Sequence, residues 1–120
     1  MKYKSFSSFL VSKRDAINLT NSKLASLANI SAVYLGEIIK KKKNPPDKKT
    51  QYALAEALQL SEEEKVEFFD LAASERREIP VDIYDYLLER EDLLEEIRAK
   101  KMDEGKEEHH EKGKTNKEIN

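Results

Sequence analysis

Apolar residues recur three and four positions apart almost everywhere before Met102, and β-branched residues do not alternate with polar ones. That spacing marks helices with one buried face, so an all-α fold is predicted. Phe6, Phe9, Leu10 and Ile17 define the inner side of a first helix that Ser5 is placed to cap. Thr20 opens a short second helix carrying Leu24, Ala25, Leu27 and Ala28. Asn29, of a type that tolerates left-handed backbone, follows it, and Ile30 turns inward. Ser31 caps a third helix bearing Tyr34, Leu35, Ile38 and Ile39.

The run Lys40 to Lys43 meets Asn44, Pro45 and Pro46, where missing N–H groups stop any helix. Asp47 caps a fourth helix with Tyr52, Leu54, Ala55 and Leu58 inside. Ser61 and Glu64 form a capping box for a fifth, whose inner face is Val66, Phe68 or Phe69, Leu71 and Ala72. Pro80 at a first helical position, with Ile83, Tyr84, Leu87 and Leu88 behind it, predicts a sixth. Leu93, Leu94 and Ile97 predict a seventh, either separate or continuous with the sixth through a bend. From Asp103 onward Ile119 is the one aliphatic residue, too little to offset ordering entropy. The expected organisation is a domain over 1–78, a helical extension over 79–102 and a disordered tail over 103–120.

Charge changes this picture more than bulk composition does. The chain carries a net −2, but residues 1–60 hold eleven Lys or Arg against four Asp or Glu, a balance of +7. Residues 61–101 hold seven against fourteen, a balance of −7. The first half is therefore the part suited to a polyanion. With no cysteine there is no disulfide framework, thiolate metal site or cysteine nucleophile. No apolar run approaches the length of a membrane span and no secretory leader is evident, so a cytoplasmic protein is expected.

The stretch Leu19 to Ile38 reads as two short helices around a tight turn, with Ala25 small where they approach and Leu35 and Ile38 anchoring the second. Together with Arg14, Leu24-Ala25, Ile30-Ser31, Tyr34-Leu35 and a proline loop leading into a helix that ends AEALQL, this resembles the Xre-type family of phage repressors and Cro-like proteins. The resemblance covers about residues 6 to 60. It implies a five-helix repressor-like helix-turn-helix domain, here with one or two additional C-terminal helices, that binds double-stranded DNA. By position, Ser31, Ala32, Val33, Tyr34 and Glu37 are implied to face bases in the major groove, with the helix over 31–40 inserted there. Tyr34 is equally suited to half-buried packing. Asn21 and Ser22 are implied to contact phosphate at the start of the second helix, as are Lys40, Lys41, Lys42, Lys43, Lys48 and Lys49 along the loop.

Three positions depart from the family pattern. Asn29 stands where glycine is usual, Lys41 replaces the glycine that commonly closes the third helix, and Ile39 replaces an acidic partner of the first-helix arginine. The third helix is accordingly expected to run a turn further, to Asn44. Arg14 is left to Glu37, Glu56 or solvent.

In the acidic half, Ile83, Leu87, Leu93, Leu94 and Ile97 are more aliphatic surface than two short helices bury, which suggests a homodimer and an inverted-repeat operator. The alternative is a protein-interaction module such as an antitoxin, whose acidic half covers a toxin or other regulatory partner. No cofactor, metal or enzymatic activity is expected: adjacent His109 and His110 lack a preorganised geometry, and the carboxylates between Glu62 and Glu96 follow solvent faces.

Overall fold

A computed structural model describes residues 2–112, with side chains as far as residue 105. The described residues are helical and contain no strand. Seven helices follow in order: α1 (Phe6–Ala16), α2 (Asn21–Leu27), α3 (Ala32–Ile39), α4 (Lys48–Ala57), α5 (Glu62–Arg76), α6 (Val81–Leu88) and α7 (Glu91–Lys112). By its internal packing the chain divides into two compact units, one running to Ile83 and one beginning at Tyr84.

The first unit holds the core. Each of its five main helices begins on a side chain that accepts an otherwise unpaired backbone N–H: Ser5, Thr20, Ser31, Asp47 and Ser61. Ser5 and Ser61 complete reciprocal capping boxes with Ser8 and Glu64. The same five helices share one kind of ending. Asn18, Asn29, Lys41, Gln59 and Arg77 all adopt left-handed backbone, with φ between 57° and 64°. In each case the next N–H reaches back to a carbonyl of the last turn: Leu19 to Arg14, Ile30 to Ala25, Lys42 to Glu37, Leu60 to Ala55 and Glu78 to Ala73, at 2.8 to 3.2 Å. This is the Schellman closure, made five times without a glycine.

An aromatic ladder joins the helices. Phe68 on α5 lies 4.9 Å from Phe6 and 5.8 Å from Phe9 on α1, between ring centroids. Phe69 continues the ladder to Tyr52 on α4, and Tyr3 meets Phe9 edge-on. Around it Leu10, Leu24, Leu35, Leu54, Ala55 and Ala72 are fully buried. α5 is also bonded to the start of α1, because Glu67 and Glu75 accept from the N–H groups of Tyr3 and Phe6. Lys13 and Glu64 pair at 2.8 Å across the same junction. The hydrogen bond to Lys13 holds the Glu64 carboxyl below its ordinary range and, reciprocally, raises the Lys13 ammonium. Both side chains are part-exposed, so the pair contributes modestly.

On α2 and α5, two apolar positions turn outward, of which Val66 was expected on an inner face. Leu27 is 50% exposed and Val66 53%. Leu24, Ala25 and Ala28 already fill the arc of α2 that faces its neighbours, and Val66 borders an open groove beside Tyr52 and Glu56. Phe68 and Phe69 are both buried. Val81, beyond residue 78, packs into this core.

α3 stops at Ile39 and does not run to Asn44, because Lys41 takes the left-handed turn in place of glycine. α6 begins at Val81, directly after Pro80, and α7 is a separate helix. α7 continues through residues 103–112, where a disordered tail was expected. Extending an existing helix needs no new nucleus, and Glu and Lys are good helix formers. Residues 113–120 lie outside the described part.

A left-handed non-glycine residue costs roughly 1 kcal/mol or more. Gln59, exposed between α4 and α5, is the cleanest site to relieve it. Gln59→Gly is expected to stabilise the fold by about 1 kcal/mol, read as a higher urea midpoint at unchanged slope. An unchanged or lower midpoint would remove the strain argument.

Candidate nucleic-acid interface

The geometry begins with the turn between α2 and α3. Asn29 holds φ 61°, Ile30 donates to the Ala25 carbonyl at 3.0 Å, and Ala25 is buried where the two helices meet. Leu35 and Ile38 then fix the inner side of α3 in the core. What remains outside is a contiguous surface. Ser31, Ala32 and Val33 are exposed, Val33 by 73%, and Gly36 and Glu37 follow one turn later, half-buried, with Lys40 exposed beyond them. Tyr34 is half-buried and packs against the core, leaving part of the ring accessible. The Ser31 hydroxyl oxygen accepts from the Tyr34 N–H at 3.0 Å, so its proton remains as a donor.

Gly36 was not singled out by its sequence. It sits inside α3 with ordinary helical backbone, and a Cβ built there would meet nothing within 4 Å. No internal neighbour therefore demands a glycine, although glycine weakens a helix interior.

The loop behind α3 is held by three contacts that local patterning does not reveal. The Ser7 hydroxyl on α1 donates to the Ile39 carbonyl. Arg76 on α5 donates to the Pro45 carbonyl at 2.8 Å while pairing with Glu78. Gln51, buried on α4, donates to the Pro46 carbonyl at 2.8 Å. Pro45 and Pro46 are themselves buried. The bond to Glu78 raises the Arg76 guanidinium and lowers the Glu78 carboxyl from their ordinary values. Lys40, Lys41, Lys42 and Lys43 thus ride exposed on a loop whose backbone is fixed at both ends. Lys48 and Lys49 are exposed at the start of α4, just past the same prolines.

Arg14 turns to none of the partners foreseen for it. Its guanidinium donates to Asp15 at 2.7 Å and to the side-chain oxygen of Asn21. With Ile39 packed against the core in place of a carboxylate, these two take its donors. The bond spends the Asn21 oxygen and leaves its amide nitrogen to donate elsewhere. Ser22 beside it is exposed.

The remaining candidates lie apart from this surface in sequence. Ile83, Leu94 and Ile97 are exposed, and Leu87 and Leu93 half-buried. Among the described residues no group of acidic or histidine side chains is arranged to hold a metal ion, and no helix is long and apolar enough to cross a membrane. His109 and His110 lie outside the residues whose side chains are described.

A short helix with small exposed side chains, anchored on its inner face and bordered by fixed lysines, is the geometry of a DNA-binding helix-turn-helix regulator. Residues 10–65 match the helix-turn-helix family model, of the Cro/C1-type, Xre-like kind. Searches of curated proteins and of solved structures return no match to the chain.

Proposed function

We propose that this protein is a sequence-specific transcriptional repressor that binds an inverted-repeat operator as a dimer, reading bases with α3. The observation that carries the reading is the exposed face of α3 set beside a lysine loop whose backbone is pinned to α1, α4 and α5. A major groove about 12 Å wide admits one helix. Ser31 donates to a base edge or phosphate, Ala32 and Val33 meet thymine methyls, and Tyr34 offers its accessible edge. Glu37 accepts from a cytosine amino group. The Asn21 amide, the Ser22 hydroxyl and Lys40 to Lys43, with Lys48 and Lys49, grip phosphates on either side. The aliphatic residues Ile83, Leu87, Leu93, Leu94 and Ile97 supply the dimer contact, which sets two α3 helices about one turn of duplex apart.

Two measurements test the DNA face. Each lysine on a phosphate releases about 0.9 counterion, so Lys41, Lys42 and Lys43 replaced together by alanine should flatten the dependence of log affinity on log salt by nearly 3. The change should be alike on specific and random duplexes, and an unchanged slope would take the loop off the backbone.

Gly36 separates stability from binding. Without an internal reason for glycine, its bare backbone is explained by a close approach of the groove to α3. Gly36→Ala is then expected to stabilise the fold by about 0.5–1 kcal/mol in urea while weakening operator binding several-fold. A variant that is stabilised and binds as tightly as before would contradict a close approach at this point.

A further inference from the structure

We infer that α7 docks against α7 of a second copy of this chain, and that the two helices lie antiparallel, crossing at Leu94 and Ile97. This deepens the dimer reading and rests on it. Glu91, Leu94, Glu95, Ile97, Arg98 and Lys101 border one open groove along the helix. Leu94 is 41% and Ile97 49% exposed, and the spacing of three and four residues from Leu94 through Ile97 and Arg98 to Lys101 sets them along one side.

An exposed apolar strip names no occupant, but the charges beside this one do. Glu91 and Glu95 flank its N-terminal end, and Arg98 and Lys101 its C-terminal end. The cations do not serve the end of the helix. Dipole effects fade within the last turn, and α7 runs on to Lys112. Arg90, which precedes the strip, is already turned to Asp92 at 2.7 Å and to the Tyr86 hydroxyl.

The strip is therefore balanced, acid at one end and base at the other, although the second half of the chain is acidic overall. A uniformly basic partner would meet repulsion at Arg98 and Lys101. A parallel copy would set Glu91 against Glu91 and Lys101 against Lys101. An antiparallel copy sets acid against base at both ends, because Glu91 and Lys101 lie equally far along the helix from Glu96. It repeats the same contact twice, as a two-fold axis requires, and flanking charges of this kind choose the orientation of paired helices.

The test uses the full chain in sedimentation equilibrium, beside its affinity for a duplex carrying one half-site. Wild type is expected to dimerise, and Arg98→Glu with Lys101→Glu to weaken dimerisation by about tenfold or more. Adding Glu91→Lys and Glu95→Lys to that variant should restore it, since the exchanged strip is again self-complementary. The chain has no cysteine, so orientation is read directly. Glu91→Cys and Lys101→Cys chains should form a disulfide when mixed and not when alone. A wild type that stays monomeric, a double variant that dimerises unchanged, or single-cysteine chains that each link to themselves would overturn the proposal. In any of those cases retained half-site binding leaves the DNA reading standing. Absence of half-site binding by wild type defeats that reading instead.

Discussion

The left-handed backbone at Asn29 decides where α3 points. A helix cannot reverse within two residues unless one of them leaves the right-handed region, and asparagine does so at lower cost than most side chains. Once it does, Ile30 closes on the Ala25 carbonyl and Ala25 lets the helices touch, so Leu35 and Ile38 face the core. The exposure of Ala32 and Val33 follows geometrically, being the opposite side of the same helix, with Glu37 half-buried one turn on. Placing the readable face outward is thus a consequence of one turn and two buried aliphatic residues.

A second constraint comes from α5. Its Phe68 seats against Phe6 and Phe9, its Glu67 and Glu75 hold the start of α1, and its Arg76 takes the Pro45 carbonyl. Acidic side chains there satisfy donors on the basic half of the chain. The charge asymmetry between the halves consequently serves folding, and the lysines are left on the surface that α5 does not cover. A fixed loop also presents its cations with less entropy left to lose on binding.

The beginnings of helices were legible because a cap is a local event: Ser5, Thr20, Ser31, Asp47 and Ser61 each need only the N–H groups of the next turn. Their ends were less so. Lys41, Gln59 and Arg77 carry no glycine to announce a left-handed turn, and reading Lys41 by that rule placed the end of α3 too late. Periodicity shows that α2 and α5 have inner faces but not how wide an arc their neighbours cover, so it places Val66 inward and does not separate Leu27 from Leu24. The contacts that fix the candidate site were out of reach for another reason. Ser7 with Ile39, Arg76 with Pro45 and Arg14 with Asn21 depend on the packing of different helices, and Gly36 looks like any surface glycine until the space above it is known.

We propose that α3, the start of α2 and the lysine loop act as one rigid face toward duplex DNA. Backbone amide shifts of the labelled full-length protein, followed while an operator duplex is added at about 0.1 M salt, test it most directly. The largest changes are expected to gather at Asn21 to Lys23, Ser31 to Lys43 and Lys48 to Lys49, with the outer face of α5 little affected. Changes concentrated on α5 or α7, with α3 silent, would contradict it.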